Sequence, residues 1–75
     1  MEIKLYGKLK GCRQCKMTKD FLINNGVEFE FIDVLADDSL PEMLKDEGFM
    51  SVPVIEIDGI KKFAGFRPDE LAKLS

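Results

Sequence analysis

Histidine is absent from this 75-residue chain, and cysteine occurs only twice. A structural zinc site takes about four Cys or His ligands, so a metal reading would need dimerisation or carboxylate ligands, and no residue is assigned to metal. Long apolar runs are missing as well. No stretch approaches the ~20 residues of a membrane span, and the N-terminus lacks the apolar h-region of a secretory signal. The chain therefore reads as cytoplasmic, with no membrane partner. It holds few turn-formers (6 Gly and 3 Pro) and no repeat, linker or low-complexity segment. With 45% hydrophobic and 33% charged residues, residues 1–75 are expected to form one globular domain and a monomer. That length is near the lower limit for a self-sufficient core.

Acid is missing from one stretch. Residues 3–19 carry Lys4, Lys8, Lys10, Arg13, Lys16 and Lys19 without a single carboxylate, although the whole chain has 14 acids and a net charge of −3. The acidic remainder and the lack of a longer basic stripe argue against a nucleic-acid partner. A solvated surface with uneven charge would explain the pattern blandly. The functional alternative is a positive collar that steers acidic partners toward the residues between these bases.

Those residues include both cysteines, Cys12-Arg13-Gln14-Cys15. They follow an apolar run (Ile3, Leu5, Tyr6) and precede a helical pattern. A thiolate at a helix start is stabilised by the dipole and by free N–H groups, and a second thiol one turn on can close a small disulfide ring with it. A structural staple is a poor alternative, because so short a loop removes little unfolded-chain entropy. Buried inert thiols prefer apolar company, whereas Lys8, Lys10, Arg13 and Lys16 surround this pair. In a reducing compartment a lone dithiol is more often catalytic than structural. Thiol–disulfide exchange is the preferred reading, with Lys8, Lys10 and Lys16 tuning the Cys12 thiolate.

Glu2–Tyr6 reads as a strand, bracketed from the dithiol by Gly7 and Gly11. Arg13–Asn25 reads as a helix with Cys15, Thr18, Phe21 and Leu22 inward, stopped by Asn25-Gly26. Glu28–Val34 alternates as a second strand, and the strand–helix–strand order implies a parallel unit. A second helix opens at Asp37-Asp38-Ser39, with Ser39 and Glu42 at capping-box spacing, Pro41 in the first turn, Met43, Leu44 and Phe49 inward, and Gly48 as its stop. Pro53–Ile57 and Ile60–Ala64 read as a hairpin around Asp58-Gly59. A last short helix starts near Pro68, with Asp69 and Glu70 in its first turn. The order β-α-β-α-β-β-α gives an α/β domain, a four-stranded mixed sheet with helices on both faces.

The dithiol after the first strand, Ser51-Val52-Pro53 before the third, and a Gly-containing turn before the last helix together resemble the thioredoxin fold in its short glutaredoxin-like form. The resemblance covers essentially the whole chain. Cys12-Arg13-Gln14-Cys15 and Ala64-Gly65-Phe66-Arg67-Pro68-Asp69 are most similar to the NrdH-redoxins. Resemblance to that family implies an electron carrier with no bound cofactor beyond the redox-active Cys12–Cys15 disulfide. Its implied donor is thioredoxin reductase, fed by NADPH, and its implied acceptor is the catalytic subunit of class Ib ribonucleotide reductase. It also implies a cis Val52-Pro53 bond, beside which a substrate segment can pair strand-fashion. Cys12 is then the attacking thiolate and Cys15 the resolving thiol. Arg13, Gln14, Val52, Pro53, Gly65, Phe66 and Arg67 are the expected partner contacts.

Ordinary glutaredoxins are the similar alternative. Their dithiol commonly carries Pro-Tyr, and a Gly-Gly turn with paired aspartates holds the γ-glutamyl end of glutathione. Arg13-Gln14 and Phe66-Arg67-Pro68 stand in those places here. Lys8 and Lys10 could still meet a glutathione carboxylate, and Ala64 replaces a serine frequent in NrdH-type turns. A redox-sensing binding module is a third reading, supported by the dithiol alone.

Overall fold

A computed structural model describes residues 2–74, Lys61 by its backbone. The expected domain span of 1–75 includes Met1 and Ser75, which lie outside the described residues. The elements are β1 (Ile3–Gly7), α1 (Arg13–Asn24), β2 (Glu30–Asp33), α2 (Ser39–Asp46), β3 (Val54–Ile57), β4 (Lys61–Ala64) and α3 (Pro68–Leu71), followed by a 3-10 turn over Ala72–Leu74. The sheet order is β2-β1-β3-β4. β1 and β2 are parallel, while the β1–β3 and β3–β4 pairs are antiparallel. This is a thioredoxin-like fold, and the element order and mixed sheet agree with the sequence expectation.

Period-two alternation sorts the strands between two cores. Ile3, Leu5, Ile55 and Phe63 meet Leu22 of α1 and Leu71 of α3 on one face. Tyr6, Val34 and Val54 meet Leu44 of α2 on the other. Leu5, Leu22, Ile55 and Leu71 are completely buried, and each such side chain contributes about 1.5–3 kcal/mol. Both longer helices stop as expected. Gly26 (φ 68°) and Gly48 (φ 95°) take left-handed conformations, and the following Val27 and Phe49 N–H groups reach back to the Leu22 and Leu44 carbonyls. That is the Schellman closure.

Four local expectations need correction. Ser39 does not cap α2: the Asp37 carboxylate accepts from the Ser39 N–H at 2.9 Å and from its hydroxyl at 2.8 Å. An ionised acceptor two residues ahead outcompetes a hydroxyl. These bonds, the backbone one first, hold the Asp37 carboxyl below its usual range. Their support for the helix is present above the unfolded-state value and lost as pH falls through the folded one. Met43 is exposed rather than inward, and α2 contributes Leu44 as its buried anchor. β2 starts at Glu30, two residues later than expected, because its pairing with β1 begins only at Lys4, opposite Glu30. Ile60 lies outside β4 and is highly exposed, since Ile57 pairs with Lys61 and leaves Asp58, Gly59 and Ile60 in the loop.

The α2 face also holds a polar network that the hydrophobic pattern concealed. The Tyr6 hydroxyl donates to Glu56 Oε2 at 3.2 Å, and Lys62 lies 3.3 Å from Glu56 Oε1 while also binding Glu47 at the end of α2. Burial, then the Glu56 charge, push the Tyr6 phenol above its ordinary value, and the Glu47 bond raises Lys62. Both folded-state values are raised, so both contributions are present at neutral pH and lost as pH rises through them. Tyr6 is the only tyrosine, so ultraviolet titration reads it alone. Its midpoint is expected above 10.0, with the urea midpoint falling over the same range and falling less in Tyr6→Phe. A midpoint at or below that of free tyrosine would contradict the network.

Candidate active site

β1 ends beneath the dithiol at Gly7. A Cβ added there would stand 3.1 Å from Cys15 Sγ and 3.3 Å from Cys15 Cβ, so the bare backbone is what lets α1 begin so close to the strand end. Gly11 (φ 75°) then turns the chain into Cys12, the N-cap of α1. Cys12 and Cys15 are joined as a disulfide, with Cα atoms 5.3 Å apart. The Cys15 N–H donates to Cys12 Sγ at 3.2 Å. The sulfur thus acts as cap acceptor and receives a directed N–H where negative charge gathers on reduction. Cys12 is partly exposed, whereas Cys15 is 1% exposed.

Beside the pair lies a cavity of about 630 Å³ lined by both cysteines, Lys8, Arg13, Lys16 and Lys19, with Leu9 and Phe31 as its apolar part. Three members of the expected collar and partner set (Lys8, Arg13, Lys16) therefore face the dithiol cavity, while Lys10 is exposed and does not line it. Lys19 and Phe31 are additions. The one sequence signal for Lys19 is its spacing after Arg13 and Lys16 along α1, which does not by itself place it at the cavity. Phe31 belongs to the alternating second strand, and nothing in that alternation marks its partial exposure.

The remaining expected contacts gather on the other side. The Val52-Pro53 bond is cis, and the Pro53 carbonyl accepts from the Gly65 N–H at 2.8 Å. Gly65 takes φ 84°, and a Cβ there would lie 3.7 Å from the Gln14 side-chain oxygen. Gln14, Pro53 and Gly65 are thus neighbours. Phe66 is half-buried and meets Phe21 edge-on, with ring centroids 6.1 Å apart. Arg67 is exposed and pairs at 3.3 Å with Asp69, and that bond holds the Asp69 carboxyl below its ordinary value. Val52 lines a second cavity of about 320 Å³ with Val34, Leu44, Phe49 and Met50. Lys8 borders both cavities, so they adjoin along the β1–α1 loop. Among the described residues no group of three or more Cys, Asp or Glu could hold a metal ion, and no helix is long and apolar enough to cross a membrane.

The model of the glutaredoxin family matches residues 3–60. The glutaredoxin-like protein NrdH of Lactococcus lactis subsp. lactis is 38% identical over 73 residues, 97% of this chain and 99% of that one. Its namesake from Escherichia coli K12 is 38% identical over 74 residues, 99% of this chain and 89% of that one. The solved structure of the glutaredoxin-like protein NrdH-redoxin from Escherichia coli superposes with a TM-score of 0.90 at 37% identity, covering 100% of this chain and 96% of that one. Likeness in sequence and in backbone thus runs from β1 to the last helix, through the dithiol, and this chain belongs to the glutaredoxin family, among its NrdH-type thiol–disulfide oxidoreductases.

Proposed function

We propose that the protein is a cytoplasmic dithiol electron carrier that takes electrons from NADPH through thioredoxin reductase and delivers them to class Ib ribonucleotide reductase. The observation that carries the reading is the asymmetry of the pair: Cys12 reaches solvent at a helix start, while Cys15 is buried behind it. The reduced protein attacks with the Cys12 thiolate on one sulfur of the partner disulfide. A Cys12–partner bond forms, the partner S–S bond breaks, and its second sulfur leaves as thiolate. Cys15 then gives up its proton and attacks Cys12 Sγ. The intramolecular disulfide re-forms, and the first partner sulfur leaves and is protonated. Two electrons and the Cys15 proton pass to the partner, and the partner's second sulfur takes its proton from solvent, to which Cys12 released one on ionising. A reductase dithiol returns them by the same two exchanges in reverse.

Val52, Pro53, Gln14 and Gly65 form the edge along which a partner strand would lie, and Phe66 and Arg67 shape its far end. Support for the donor comes from the Escherichia coli relative, described as having a thioredoxin-like activity profile. The acceptor follows from the NrdH resemblance. The test is a single-turnover thiol titration of an oxidised class Ib reductase catalytic subunit mixed with the reduced protein. One dithiol gained by the subunit per protein oxidised is expected, and no transfer would overturn the assignment of acceptor.

A further inference from the structure

We propose that the basic cavity beside the dithiol recognises carboxylates on the protein segment that carries the disulfide to be reduced. The inference rests on the carrier reading above and adds the chemistry of the segment it prefers. Lys8, Arg13, Lys16 and Lys19 line this cavity and no acid does. Among the described residues none of these four forms an ion pair, whereas Lys62, Arg67 and Lys73 each pair with a carboxylate of this chain. The cavity's cations are left for a ligand from outside.

Spacing says what kind of ligand. Arg13, Lys16 and Lys19 recur every third residue of α1. At 1.5 Å of rise per residue they span about 9 Å of the helix axis. An extended peptide rises roughly 3.3 Å per residue and presents alternate side chains on one side. About three of its residues cover that span, with two acids in an acid-x-acid pattern facing the cations. Apolar wall strengthens the pairing. Lys19 Nζ stands 5.9 Å from the Phe31 ring centroid, where the ring holds the ammonium, and Leu9 adds further low-dielectric surface. Because both cysteines line the same cavity, a segment bound there brings its own disulfide to Cys12. The occupant is therefore an acidic peptide rather than a small thiol, which would use only one end of the row.

The test compares two peptide disulfides that differ only in Asp-x-Asp against Asn-x-Asn beside the reactive cysteine. Second-order rates of reduction by the full-length reduced protein are measured at low and high salt. At low salt the acidic peptide should react about tenfold faster. Near 1 M salt, where the Debye length is roughly 3 Å, the ratio should fall toward unity. Lys16→Gln/Lys19→Gln should bring the ratio near unity already at low salt, and taking the ratio within one variant cancels any change in thiolate reactivity. Equal rates for both peptides in the unmodified protein, or an unaltered ratio in the double variant, would overturn the proposal while leaving the carrier reading intact. Glutathione disulfide reacting faster than the acidic peptide, and slowed by the same substitutions, would give the cavity to a small carboxylate thiol and overturn the peptide. Reduction of neither peptide would overturn the carrier reading and this inference with it.

Discussion

Cys12→Ser is expected to abolish disulfide reduction, with a loss of roughly 10⁴-fold or more, the scale set by deleting an enzyme nucleophile. Its hydroxyl remains an acceptable N-cap, so α1 should persist and the loss should be chemical. Cys15→Ser is expected to fail differently. Cys12 still receives the N–H of residue 15, a backbone group that the substitution keeps. The first exchange therefore proceeds, and the mixed disulfide accumulates because no buried thiol resolves it. Mass spectrometry after mixing each variant with an oxidised peptide from the reductase C-terminus reads both outcomes. An adduct of peptide mass should dominate in Cys15→Ser and be nearly absent from Cys12→Ser. Equal trapping by the two variants would contradict the division between attacker and resolver.

Electron donor preference is the second large effect. A glutathione molecule would need free backbone donors and acidic partners at the turn before α3. The Gly65 N–H is already given to the Pro53 carbonyl at 2.8 Å. Phe66 fills the next position with a ring packed on Phe21, and Pro68 opens α3 without an N–H to offer. Asp69 is held by Arg67. Each charged or polar group of the tripeptide left unmet costs about 1–3 kcal/mol, so two such losses reduce turnover by about thirtyfold or more. NADPH consumption should accordingly be at least tenfold faster with thioredoxin reductase than with glutathione and glutathione reductase. Faster turnover with glutathione would move the protein to the ordinary glutaredoxins.

Element order, sheet type and the dithiol's place were legible because each rests on a local signal: alternation in β3, glycines after α1 and α2, and a Cys pair at a helix start. Capping of α2 was misread because two acceptors, Asp37 and Ser39, stand two residues apart, and spacing alone does not rank a carboxylate against a hydroxyl. The Tyr6–Glu56–Lys62–Glu47 network joins positions up to 50 residues apart. It is set by strand register, which places Glu56 opposite Lys62 and which no single strand reveals. Lys19 and Phe31 illustrate the same limit at the site. Each belongs to a readable element, yet only the parallel pairing of β1 with β2, and α1 packed over them, brings both to the wall of the dithiol cavity.

The central claim is that electrons pass from NADPH through Cys12 and Cys15 to ribonucleotide reductase. Deoxyribonucleotide formation by a class Ib reductase, measured with NADPH, thioredoxin reductase and this protein as its only source of electrons, tests it most directly. Product should form at a rate that rises with the concentration of this protein and stops when any one component is omitted or when Cys12→Ser replaces the parent. Product formed equally well without this protein, or sustained by the Cys12→Ser variant, would contradict the claim.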